Sequence, residues 1–304
     1  MKILLAGAGG LIGHALTGAL EGAGHQLTRM VRSPGEVGPG TVSWDPADRR
    51  LDQGALEAAG PFDAVVNLAG TGIGDHRWTP ARRQEILASR VASTDLLVAA
   101  LRRLEPRPAV LVNASAVGYY GDRGNEVLTE DSAPGSNFLA EICVAWERSA
   151  SVVSDELRVV LLRTGVVLTP KGGALAKQLP LFKLGLGGRL GGGRQFLSWI
   201  TLEDEVAVIL RALTDERLRG PVNATAPHPA TNAEFTRQLG AALHRPTALV
   251  VPGFALSTVF GGQMAEEMLL GGQRVLPARL EAVGHTFAHP DLPGALAALL
   301  GPGR

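Results

Sequence analysis

One cysteine, two tyrosines and four lysines are all that 304 residues hold of three reactive residue types. The lone Cys143 excludes an internal disulfide framework and suits a reducing compartment, so a cytoplasmic location is expected. No run of about 18 apolar residues occurs, which excludes an ordinary membrane-spanning helix. The first strand pattern begins at residue 2, leaving no room for a secretory leader. Excess charge is also missing: 29 basic and 29 acidic residues cancel. That balance offers no attraction for nucleic acid or for an anionic membrane. The seven histidines lack zinc-site spacing, so no metal is expected. A Gly-x-Ser-x-Gly elbow is absent, which argues against an α/β-hydrolase.

Glycine, by contrast, is abundant at 39 residues, and its most telling cluster stands at the start. Met1 to Ala6 is a short apolar run of strand length. Gly7-Ala8-Gly9-Gly10-Leu11-Ile12-Gly13 follows, and Leu11, Ile12, Ala15, Leu16, Ala19 and Leu20 then share a helical face. A strand, a glycine turn and a helix in that order make a dinucleotide site. The glycines admit a pyrophosphate, and the helix N-terminus offers it free N–H groups.

Strand and helix signals keep alternating. Further strands are expected at Gln26 to Arg32, Thr41 to Trp44, Asp63 to Leu68, Ala109 to Ala114 and Arg158 to Leu162. A long helix is expected from Pro80 to Leu104. Helices between apolar strands predict an α/β fold, a Rossmann-type doubly wound parallel sheet. Residues 1–165 would form that dinucleotide-binding domain, and 166–304 a smaller C-terminal substrate lobe. The chain is expected to cross back to the main sheet around 197–224. Gly185 to Gly193 reads as a loop that neither helix nor strand occupies. Asn232 is expected to cap a helix from Ala233 to Leu243, and a last helix spans Leu292 to Leu300.

Cofactor choice is read at the end of the second strand. A carboxylate there binds the adenosine ribose of NAD, and a basic residue accommodates the 2′-phosphate of NADP. No carboxylate lies between Gly24 and Gly35, whereas Arg32, followed by Ser33, ends the strand. A guanidinium suits a phosphate, so NADP(H) is expected over NAD(H). Ligand chemistry gathers at the carboxyl ends of strands. Asn67-Leu68-Ala69-Gly70 and Asn113-Ala114-Ser115-Ala116-Val117-Gly118-Tyr119-Tyr120-Gly121 occupy such ends, as does Arg163. Gln195, Ser198 and Trp199 offer the aromatic and polar lining of a substrate pocket.

Together these pieces resemble the extended short-chain dehydrogenase/reductase superfamily, in its nucleotide-sugar epimerase and dehydratase class. GAGGLIG, NLAG, SAVGYYG and LLRTGVVL carry the likeness. More narrowly, the chain resembles an epimerase-like family whose C-terminal part is a domain of unknown function. Arg77-Trp78-Thr79, Ser89-Arg90, Trp146-Glu147, Gln195, Ser198-Trp199-Ile200 and Leu270-Gly271-Gly272-Gln273-Arg274 match it. The resemblance implies cofactor contacts from Gly7, Gly10, Leu11, Ile12, Gly13, Arg32, Ser33, Leu68, Ala69, Gly70 and Arg163.

The superfamily's catalytic tyrosine, with a lysine four residues later, has no counterpart. Anchoring on Glu147 puts Leu139 at the tyrosine position and Cys143 at the lysine position. Ala116 holds the usual serine position, with Ser115 one residue earlier. Ser115 and Tyr120 are therefore the first catalytic candidates, with Cys143 a poorer one. The expected activity is reduction or epimerisation of a small organic substrate with NADP(H). The alternative is a dinucleotide-binding sensor that has lost its chemistry. A homodimer through Ile86 to Leu101 and Leu139 to Val153 is the one protein partner expected.

Overall fold

The structure is a computed structural model that describes residues 1–32, 35 and 37–301. Strand β1 (Lys2–Ala6) leads into helix α1 (Leu11–Gly22), then β2 (Gln26–Val31), β3 (Thr41–Asp45), β4 (Arg50–Leu51) and α2 (Gln53–Ala59). Strand β5 (Ala64–Asn67), helix α3 (Pro80–Leu101) and β6 (Val110–Ala116) follow. After a tight turn at Val117–Tyr120 come β7 (Val127–Leu128), α4 (Phe138–Ser151), β8 (Arg158–Thr164) and β9 (Val166–Leu168). The rest begins with α5 (Gly173–Lys183), β10 (Gly188–Leu190), β11 (Phe196–Leu197), β12 (Trp199–Thr201) and α6 (Leu202–Thr214). It continues through β13 (Gly220–Ala224), β14 (Ala230–Thr231), α7 (Asn232–Leu243), β15 (Leu249–Val251), α8 (Gly253–Phe260), β16 (Arg274–Val275) and a last long helix, Leu292–Leu300.

Eight strands form one sheet in the order β13-β8-β6-β5-β1-β2-β3-β4. Every pairing in it is parallel except β3 with β4. The strands are apolar because both faces are covered. Alternation divides each strand between the two layers. Ile3 and Leu5 pack with Leu16, Leu20, Val208 and Ile209 of α1 and α6 on one face. Leu4 packs with Leu97, Leu101 and Ala150 of α3 and α4 on the other. A separate core in the C-terminal lobe joins Leu175, Phe182, Trp199, Phe235 and Leu296. The chain rejoins the sheet through β13, which pairs with β8 after the β9–α6 excursion. Strand order reverses between β1 and β5, and the crevice beyond that point receives the ligand in such sheets. Among the described residues no helix is long and apolar enough to cross a membrane.

Two local expectations are corrected. The glycine-rich stretch contains β10, paired in parallel with β15. Gly188 permits this because a Cβ there would lie 2.5 Å from the Leu249 carbonyl oxygen. Thr231, not Asn232, caps α7, in a capping box with Glu234. The Asn232 side chain instead accepts from the Leu190 N–H at 2.8 Å, tying β10 to α7.

Candidate functional site

The turn after β1 uses its glycines in two ways. Gly7 has φ +84°, and a Cβ on it would lie 2.6 Å from the Leu68 carbonyl carbon. A Cβ on Gly13 would overlap the Gly7 carbonyl oxygen. These two glycines are required by the packing of the turn itself. Gly9 and Gly10 are different: both are exposed. A Cβ on Gly9 would meet nothing within 4 Å, and one on Gly10 only the Gly7 oxygen at 3.5 Å. Nothing inside the protein demands glycine there, so what it leaves open is room for a ligand. Gly10 caps α1 without a side-chain bond, and the first turn carries no acidic residue. The leading N–H groups, Leu11 and Ile12 included, thus keep the positive end of the helix available to an anion.

The next strand end lies beside this turn. Leu68 N–H donates to the Ala6 carbonyl at 2.9 Å, and Ala69 N–H to the Asn67 side chain at 3.2 Å. Leu68 and Ala69 are half-buried and Gly70 is exposed. On the other side of β1, Arg32 is exposed at the end of β2. Ser33 lies outside the described residues. Gly7, Gly10, Leu11, Ile12 and Gly13 thus follow β1, Leu68, Ala69 and Gly70 follow its neighbour β5, and Arg32 follows its other neighbour β2.

Ser115, Tyr120 and Arg163 also come together, but in the interior. Arg163 is 2% exposed and meets Glu147 with two bonds, Nε to Oε1 at 2.8 Å and Nη2 to Oε2 at 2.9 Å. Its Nη1 donates to the Tyr120 hydroxyl at 2.9 Å and to the Glu130 carbonyl at 3.2 Å. Tyr120 in turn donates to Asn223 Oδ1 at 2.6 Å, and Ser115 Oγ donates to Glu147 Oε1 at 2.7 Å. The Tyr119 ring stacks on the Arg163 guanidinium at 3.4 Å. Tyr120 has no exposed surface, and burial pushes its hydroxyl up to about 12 against the pull of Arg163. Burial alone would lower the Arg163 guanidinium, but the Glu147 carboxylate more than reverses this. Burial, and then Glu147, raise the Cys143 thiol to about 11, so it is no ready nucleophile.

These contacts correct two expectations. Arg163 faces Glu147 rather than a cofactor, because a buried guanidinium needs a carboxylate more than a solvated ligand does. Tyr120 has both hydroxyl roles filled inside the protein. Ser115 is 4% exposed at the carboxyl end of β6. The proposed substrate lining is likewise internal. Trp199 is fully buried and donates to the His228 carbonyl at 3.1 Å. Ser198 bonds the Gln273 carbonyl at 2.7 Å and the Val275 N–H at 2.9 Å. Gln195 donates to the Leu269 carbonyl at 2.8 Å and the Leu190 carbonyl at 3.2 Å. Gln195 and Ser198 fasten the segment at 269–275 to the lobe, and Trp199 ties β12 to the turn before β14.

Residues 3–224 match the NAD dependent epimerase/dehydratase family, and residues 251–299 match a domain of unknown function, DUF1731. The chain belongs to the NAD dependent epimerase/dehydratase family. An epimerase family protein of Mycobacterium bovis, Mb2239, is 45% identical over 295 residues, covering 97% of this chain and 96% of the relative. The human epimerase family protein SDR39U1 is 38% identical, covering 97% and 98%. The crystal structure of human SDR39U1 (isoform 2) with NADPH superposes with a TM-score of 0.90 at 37% identity, over 99% of this chain and 100% of that one. A Bacillus cereus UDP-glucuronic acid 4-epimerase, at 15% identity and a TM-score of 0.76 over 99% and 98% of the two chains, shares the fold.

The burial of Glu205 on α6 escaped the sequence reading, since it depends on the end of β8, 41 residues earlier. Glu205 is fully buried, receives the Thr164 hydroxyl on Oε1 at 2.8 Å and leaves Oε2 without a partner. Burial pushes its carboxyl up to about 8.

Proposed function

We propose that this protein binds NADP(H) in preference to NAD(H) and exchanges a hydride with a small organic substrate, in reduction or epimerisation. The observation that carries the reading is the open half of the glycine turn, where Gly9 and Gly10 leave room at the uncapped N-terminus of α1. Arg32 at the end of β2 supports the 2′-phosphate preference, as does the NADPH in the human relative's structure. The bound group would supply hydride chemistry. This chain's residues would seat its diphosphate on the Gly10–Gly13 amides and its 2′-phosphate on Arg32. Ser115, at the end of β6 and bonded to Glu147, would offer its hydroxyl to a substrate proton.

Titration of both cofactors tests the preference. A charge-assisted bond contributes about 1.5–3 kcal/mol, so NADPH should bind about tenfold or more tightly than NADH. Arg32→Ala should erase that difference; equal affinities in the unaltered protein would sink it. The second reading, a sensor without turnover, is favoured by the closed Ser115–Tyr120–Arg163 cluster. NADPH consumption with any carbonyl or unsaturated compound in a panel decides against the sensor.

A further inference from the structure

A cavity of about 530 Å³ opens between the C-terminal lobe and the loop that precedes β7. Arg194, Phe196 and Arg274 line it, with Asn125, Thr231 and Glu234 around them. None of the residues assigned above to the cofactor or to substrate chemistry takes part in it. Successive side chains divide here. Gln195 turns to the Leu190 and Leu269 carbonyls, whereas Arg194 and Phe196 on either side of it line the cavity.

Both arginines lack an anion. Among the described residues, every other buried or half-buried arginine donates to at least one acceptor. The half-buried Arg274 does not; its guanidinium lies over the Phe196 ring at 5.3 Å. Its backbone is nevertheless fixed. Ser198 Oγ holds the Gln273 carbonyl and the Val275 N–H, and a Cβ on Gly272 would overlap the Phe196 carbonyl oxygen. Arg194 is set in the same way. The carbonyls on either side of it, Gly193 and Gln195, accept the Ala233 and Asn232 N–H groups at 2.9 and 2.8 Å. Two guanidiniums on fixed backbone thus face one cavity with their donors unused, and they repel until an anion joins them.

The rest of the lining says what that anion carries. Phe196 and Pro229 give an apolar surface beside the guanidiniums, and an aromatic ring suits a flat partner. Glu234 stands in the same lining, and its Oε2 takes the Thr231 N–H and hydroxyl, both at 2.8 Å, which keep it a carboxylate. One carboxylate against two guanidiniums favours a compact oxyanion over a polyphosphate or a nucleic acid.

We propose that Arg194 and Arg274 form a binding site for a small organic oxyanion, a phosphate monoester or a carboxylate, whose flat apolar body rests on Phe196 and Pro229. The planar fork of a guanidinium matches either oxyanion. The site is separate from the dinucleotide crevice and does not depend on the dinucleotide reading.

Calorimetric titration of the full chain at low ionic strength tests this with phenyl phosphate, inorganic phosphate, benzoate and acetate. The preferred aromatic probe should bind about tenfold or more tightly than its bare oxyanion. Phenyl phosphate ahead of benzoate marks the ligand as a phosphate monoester, and the reverse marks it as a carboxylate; either order supports the site. Arg274→Met keeps an apolar stem beside Phe196 and should weaken the preferred probe about tenfold or more. Arg194→Ala, at an exposed position, should weaken it similarly with an unchanged melting temperature. Arg237→Ala removes an exposed cation that acts on Glu234 from outside the cavity, and binding should not change. Saturating NADPH should not displace the probe. No binding of any probe, unchanged binding in both Arg274→Met and Arg194→Ala, equal weakening by Arg237→Ala, or displacement by NADPH overturns the site. A bare oxyanion bound as tightly as its aromatic counterpart overturns the role of Phe196.

Discussion

Two places at the carboxyl edge of one sheet look alike in sequence and differ in every physical respect. The turn after β1 is open: Gly9 and Gly10 face empty space, and the N-terminus of α1 keeps free donors. The cluster after β6 and β8 is closed: Ser115, Tyr120, Glu147 and Arg163 satisfy one another within the interior. Both lie where parallel sheets keep their ligands. The first has free donors for one, whereas in the second only the Ser115 oxygen, its proton on Glu147, can still accept. Position at a strand end therefore nominates a residue, and unused donors and acceptors decide its role. The comparison can be broken at either place.

The largest effect is expected from the closed cluster. Arg163→Met strands the Glu147 carboxylate in the interior, and breaking a buried pair from one side costs about 3–5 kcal/mol. Urea unfolding should show that loss, while the folded protein keeps its dinucleotide affinity. A stability change below about 1 kcal/mol, the range of a surface pair, would mean that Arg163 is not the anchor described.

The open turn should give the opposite pattern. Gly10 has φ −77° and ψ 171°, extended backbone that any residue adopts. Gly10→Val should lower dinucleotide affinity about 100-fold or more, a change of about 2.7 kcal/mol in binding. Folding stability should fall by no more than about 1 kcal/mol, from a poorer helix cap. Gly13→Val should instead destabilise the fold, because its side chain would enter the Gly7 carbonyl. Matched losses of stability in the two variants would erase the distinction between packing glycines and ligand glycines.

What was legible follows the same division. The order of strand and helix signals and the glycine turn are local patterns, and the sequence carries local patterns directly. The closed cluster brings together residues from β6, the turn after it, α4, β8 and β13. No spacing rule joins Tyr120 to Asn223, which are 103 residues apart. The aromatic and polar look of Gln195, Ser198 and Trp199 was equally ambiguous. Their partners, at Leu269, Gln273 and His228, lie in segments whose docking only the fold defines. Gly188 shows the reverse: a glycine-rich stretch hid a strand, because close approach to Leu249 requires the missing side chain.

Glu205 sharpens the comparison, since it is buried at the end of β8 yet only half satisfied. Its carboxyl is raised from an ordinary value of 4.5 to about 8. Between those two values the folded protein holds a proton that the unfolded chain releases. Stability contributed by this group is therefore intact below pH 4.5 and falls as pH rises toward 8. Glu205→Gln removes the titration. The variant should gain about 4 kcal/mol over the parent at pH 8 and nothing at pH 4. Unfolding at a series of pH values measures this, and a gain that is constant with pH would show that Glu205 titrates normally.

The smallest effect is expected at Tyr120, and it bears most directly on chemistry. The hydroxyl donates to Asn223 and accepts from Arg163, and it has no exposed surface. Raised to about 12, it stays protonated at any working pH, so it is no base. Enclosure on both sides also denies it a substrate to protonate. Tyr120→Phe leaves Asn223 Oδ1 without that donor, while Arg163 Nη1 keeps the Glu130 carbonyl. The expected loss is about 1 kcal/mol of stability, the usual net worth of one internal hydrogen bond. Turnover of any substrate found in the NADPH panel should change less than about threefold, against the roughly 100-fold expected of a general acid. Ser115→Ala, measured beside it, should show the larger fall in rate. A 100-fold loss confined to Tyr120→Phe would move the proton role from Ser115 to Tyr120 and mean that the Tyr120 hydroxyl is not enclosed during turnover.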